Sequence, residues 1–115
     1  MDQAIYPSST REIAKQRTEL APDTMAAFKA FSASVFAEGA LPKKTKQLIA
    51  VAVAHVTQCP YCIRGHTEAA LRQGASDKEI MEAIWVAAEM RAGGAFAHSA
   101  LALDTMNHVH GKEGG

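Results

Sequence analysis

The sequence predicts an all-α fold. Three observations carry that prediction. Of its 115 residues 48% are hydrophobic but only 6% aromatic, so much of the apolar content is alanine, the best helix former. Apolar residues recur at helical spacing, and no segment shows the alternation of a half-buried strand. A chain of this length is expected to be one domain, residues 1–115. It buries only roughly 65% of the surface its unfolded form exposes. Alanine adds little area per residue, so the core is thin and association of copies is favoured.

Five to six helices are expected. Ser9 and Glu12 read as a capping box opening a helix to about Leu20. Pro22 and Asp23 start a second, in which Met25, Phe28, Phe31, Val35 and Phe36 read as core and Gly39 ends the run. Pro42 suits the first position of a third helix to about Gln58, with Leu48, Val51, Ala52 and His55 on one face. Pro60 opens a fourth, stopped by Gly74. Ser76 with Glu79 caps a fifth, interrupted at Gly93-Gly94, and a last helix follows from about Ala95 to Asn107. Trp85 and Tyr61 read as core or interface residues, and the tail from Gly111 as frayed.

Charge excludes several function classes. Twelve basic residues balance twelve acidic ones, which leaves no electrostatic footprint for nucleic acid or an anionic membrane. The run Lys43-Lys44-Thr45-Lys46 reads as a solvated helix face. The apolar stretch Leu48 to Val56 is too short to span a bilayer. Met1-Asp2-Gln3 opens no secretory leader pattern, so a cytoplasmic protein is expected.

The chemistry concentrates at Cys59-Pro60-Tyr61-Cys62, which holds the chain's two cysteines. In a reducing compartment so close a pair is rarely a structural staple. At a helix start, residues i and i+3 lie near enough for their sulfurs to bond. Pro60 loses nothing at the first helical position, and the free N–H groups there favour a thiolate. His66 stands one turn after Cys62 on the same face, within reach of its proton. His55 lies four residues before Cys59. Three readings stay open: thiol–disulfide redox chemistry, a zinc set formed by His55, Cys59, Cys62 and His66, or buried cysteines with core histidines. His98 reads as packing or reaching the site, and His108 and His110 as solvated.

The stretch from Leu41-Pro42-Lys43 through Gln47-Leu48-Ile49-Ala50 to Cys59-Pro60-Tyr61-Cys62-Ile63-Arg64-Gly65-His66 resembles the alkylhydroperoxidase AhpD-like family of the carboxymuconolactone decarboxylase superfamily. Ala69-Ala70-Leu71, Gly74-Ala75-Ser76, Glu79-Ile80 and Ala83-Ile84 continue the likeness, which covers roughly residues 40 to 100. It implies an all-α bundle of five to six helices built on a central helical hairpin and assembling as trimers or hexamers. It implies a peroxidase or disulfide reductase without a cofactor, acting on a peroxide and recycled by a dithiol donor, thioredoxin-like or lipoyl. It places the attacking thiol on Cys62, the resolving thiol on Cys59 and the conserved-type histidine on His66. The alternative is a non-enzymatic metal-binding or thiol-sensing helical oligomer.

Two positions depart from that pattern. The relay glutamate twelve residues before the first cysteine is Gln47, and the histidine before the second cysteine is Tyr61. Gln47 cannot accept a proton, so His55, on the same helix face, is expected to supplement His66 with Gln47 orienting it. The helix end favours Cys59 as the more acidic thiol; the resemblance and the alignment of His66 favour Cys62, which is the expectation taken. The cysteine pair argues against lactone decarboxylation.

Overall fold

The computed structural model describes residues 5–111. Every regular element among them is an α-helix: α1 (Arg11–Leu20), α2 (Pro22–Phe36), α3 (Lys43–Thr57), α4 (Pro60–Arg72) and α5 (Asp77–Val109). The expected frayed tail after Gly111 lies outside the described residues. The chain groups into two compact units, one ending at Lys46 and one starting at Gln47.

In the first unit, α1 is capped by Thr10, one residue after the expected Ser9. The Thr10 backbone is extended and its hydroxyl accepts the Ile13 N–H at 3.2 Å, as an N-cap requires. Ala21 alone separates α1 from α2, and Pro22 stands at the start of α2. That helix ends at Phe36, short of Gly39, because Ala37 is extended. Lys46 donates to the Val35 and Ala37 carbonyls at 2.8 and 2.7 Å, satisfying acceptors that a helix end leaves open. Lys46 is therefore a capping cation and not part of a purely solvated run. The aromatics of α2 are a second correction. Phe28 and Phe31 are 60% and 65% exposed, Val35 is exposed too, and neither α1 nor α2 buries a residue fully. Helical periodicity marks an apolar face; it does not supply what covers it.

In the second unit, α3, α4 and α5 share one small core. Val51, Ala70, Ala75 and Ile80 form it, with Leu48 and Ile84 packed against it. Pro42 precedes α3 and accepts the Lys46 N–H through its carbonyl at 3.0 Å, one position earlier than expected. Gly74 ends α4 as expected: with φ at 91° it is left-handed, and the Ala75 and Gly74 N–H groups return to the Ala70 and Leu71 carbonyls at 2.9 and 3.0 Å. Ser76 and Glu79 form the expected reciprocal capping box of α5. The expected break at Gly93-Gly94 is absent, and α5 runs unbroken from Asp77 to Val109. Each glycine costs about 1 kcal/mol relative to alanine in a helix, and the flanking Met90, Arg91, Ala92 and Ala95 are residues that hold a helix well.

Candidate redox site

The site is built by the turn between α3 and α4. Gln58 adopts φ of 59°, and the Cys59 N–H returns to the Ala54 carbonyl at 3.1 Å. This is the closure seen at Gly74, made here by a residue with a side chain at a cost on the order of 1–2 kcal/mol. The strain sits immediately before the first cysteine. From α5, Arg91 donates to the Val56 carbonyl at 3.0 Å, fixing a cation at the C-terminal end of α3, where the helix dipole favours one. Sequence reasoning missed Arg91, since nothing local ties it to a residue 35 positions away.

Cys59 is the N-cap of α4, with Pro60 following it at the start of the helix. Its sulfur takes the place of a capping oxygen and accepts the Cys62 N–H at 3.3 Å. The two sulfurs lie 2.7 Å apart in a shared hydrogen bond. Both cysteines are free thiols and half-buried. Their acidities diverge. The hydrogen bond shared with the Cys62 side chain holds the Cys59 pKa below its ordinary value, helped by the backbone N–H groups of Cys62 and Tyr61 against desolvation. The same hydrogen bond, with desolvation and the Cys59 charge, raises Cys62.

Gln47, on α3, meets His66, on α4: the imidazole Nδ1–H donates to the amide oxygen at 2.7 Å. The expected pairing of Gln47 with His55 does not form. The His55 Nδ1–H donates to the Val51 carbonyl on its own helix at 2.7 Å. Eight residues along a helix are about 12 Å, too far for an amide and an imidazole to meet directly. Tyr61 is exposed between the cysteines. His98 and His108 donate back to the Gly94 and Asp104 carbonyls of α5. Among the described residues no three His, Cys, Asp or Glu side chains converge as a metal site would need.

The chain as a whole is similar to known proteins. The model of the carboxymuconolactone decarboxylase family matches residues 22–105, and the chain belongs to that family. It is 65% identical over 85 residues to uncharacterized protein 4 in cox locus of Paracoccus denitrificans, covering 74% of this chain and 77% of that one. An apo carboxymuconolactone decarboxylase family protein of Legionella pneumophila is 35% identical, with a TM-score of 0.65 over 84% of this chain and 86% of its own. A family member from Thermotoga maritima, for which a part in the antioxidative response has been suggested, is 29% identical, with a TM-score of 0.57 over 78% and 93%.

Proposed function

We propose that the protein is a thiol-dependent peroxidase or disulfide reductase working through Cys59 and Cys62. The observation that supports this most is the pair of free sulfurs 2.7 Å apart at a helix N-terminus. One thiolate attacks the peroxide, becoming a sulfenic acid as the leaving oxygen takes a proton. The other thiol condenses with it to a disulfide, releasing water. A dithiol donor, thioredoxin-like or lipoyl, then returns two electrons and two protons. The antioxidative role suggested for the Thermotoga relative points the same way. The test is peroxide consumption by the purified protein with a panel of dithiol reductants. Turnover with none of them would overturn the proposal.

His66 is the proton carrier in this reading. Gln47 holds its Nδ1 proton, so Nε2 is the nitrogen that accepts and returns a proton. His55 contributes a lesser share, because its hydrogen bond is to its own helix. His66→Gln should lower the turnover rate by about 10²-fold, and His55→Gln by less than about threefold. The pH dependence of thiol alkylation in each variant checks this. A larger shift in His55→Gln than in His66→Gln would reverse the two roles.

The protein acts as a homo-oligomer, a trimer or hexamer, in the cytoplasm. Met81, Trp85, Phe96, Leu103 and Met106 fall on one face of α5, and Trp85 and Phe96 are 67% and 81% exposed. Apolar surface so continuous marks an interaction site, and a second copy presents the same stripe to it. No helix among the described residues is long and apolar enough to cross a membrane. Sedimentation at micromolar concentration should show the oligomer, and Phe96→Glu should dissociate it. A wild-type monomer would remove the idea.

A further inference from the structure

The geometry points to Cys59 as the sulfur that attacks and Cys62 as the one that resolves, an order that the neutral Gln47 favours. This is the reverse of what the family resemblance implies, and it rests on the redox function proposed above.

The first support is the position of the sulfurs. Cys59 Sγ occupies the capping site of α4, where free N–H groups converge. A thiol sulfur is a weak acceptor, whereas a thiolate accepts well, so the Cys62 N–H at 3.3 Å selects the charged form of Cys59. Pro60 brings no N–H of its own, so the donors available to Cys59 are those of the residues that follow. Cys62 lies inside the first turn, and its own N–H is directed at its neighbour. Its thiol shares the proton between the two sulfurs. Negative charge on the pair is therefore better held at Cys59 than at Cys62. The acidity directions of the two thiols agree with that arrangement.

The second support is the partner of His66. For Cys62 to attack first, its proton must pass to the imidazole and the resulting cation must be held. A carboxylate at position 47 would hold it by charge. Gln47 orients the ring through one hydrogen bond and adds no charge. Position 47 therefore supports the family order less than a carboxylate would, and the helix-end order is favoured.

The steps balance with a disulfide as readily as with a peroxide. The Cys59 thiolate attacks one sulfur of R–S–S–R′, forming Cys59–S–S–R and releasing R′S⁻. The Cys62 thiol passes its proton to R′S⁻, attacks Cys59 Sγ and releases RS⁻. The protein is oxidised by two electrons, one thiol and one thiolate leave, and a dithiol donor restores the pair.

Alkylation with limiting iodoacetamide at neutral pH, followed by peptide mapping of the wild-type protein, reads the order directly. Cys59 should carry about ten times more label than Cys62. Cys62→Ser, whose hydroxyl still donates to Cys59, should hold a stable mixed disulfide after treatment with glutathione disulfide. Gln47→Glu should move label toward Cys62. Equal labelling, or preference for Cys62 in the wild type, overturns the assignment. So does a Cys59→Ser variant that is alkylated as fast as wild type. Absence of peroxide turnover with every dithiol would defeat the proposed function, while the labelling order would still report on the two sulfurs.

Discussion

Replacing either cysteine with serine should lower dithiol-dependent turnover by about 10³-fold or more, because each sulfur forms one half of the same covalent intermediate. The two losses should differ in kind. In Cys62→Ser the first chemical step survives: one equivalent of substrate is consumed in a burst and the enzyme stops with Cys59 oxidised or capped. In Cys59→Ser the burst disappears, since the attacking sulfur itself is gone. Rapid-mixing measurement of thiol loss at enzyme excess separates these outcomes from a loss of fold. Unfolding is not expected, as both side chains are only half-buried and serine is an accepted N-cap. Oxidation of the wild type should yield an intramolecular disulfide. Mass loss of two protons without cross-linked dimers is the signature, and intermolecular dimers as the main product would count against a paired mechanism.

Much of this architecture was legible in the chain because its signals are local. Ser76 with Glu79, Cys59 with Pro60, and Gly74 each act within a few residues, and each is found where the sequence places it. Thr10 took the cap expected of Ser9 because the two offer the same hydroxyl and only backbone geometry chooses between them. What was not legible is tertiary. Gln47 and His55 share a face of α3, yet Gln47 reaches across to His66, 19 residues on. Same-face logic gives a direction without a distance, and two full turns separate the members of that expected pair. Arg91 caps α3 from another helix for the same reason. The glycines at 93 and 94 read as a break because propensity penalises them, but the surrounding helix carries the penalty. Phe28 and Phe31 repeat at helical spacing and remain exposed within their own chain, so the pattern signals a buried face only once a covering surface is present.

The largest effect on stability is expected at Val51. It is fully buried and sits in the small cluster that joins α3 to Ala70 of α4 and Ile80 of α5. Three of the six residues in or against that cluster are leucine or isoleucine and two are alanine, so there is little other apolar area to compensate. Val51→Ala removes two methyl groups and should cost about 1–3 kcal/mol. Val51→Asp places a carboxylate among apolar groups with no partner, at a cost of several kcal/mol whether it stays charged or takes up a proton. Domains of this size are stable by only about 5–15 kcal/mol, so the aspartate variant should lose most of its margin. The loss would spread to the chemistry. The Val51 carbonyl anchors His55, and the same helix carries Gln47 and ends in the turn that presents Cys59. Thermal melts followed by circular dichroism should therefore show Val51→Asp melting far below Val51→Ala. The alkylation rate of Cys59 should fall toward that of an ordinary exposed thiol in parallel. A Val51→Asp variant with wild-type melting and wild-type thiol reactivity would show that the core of the second unit does not hold the site.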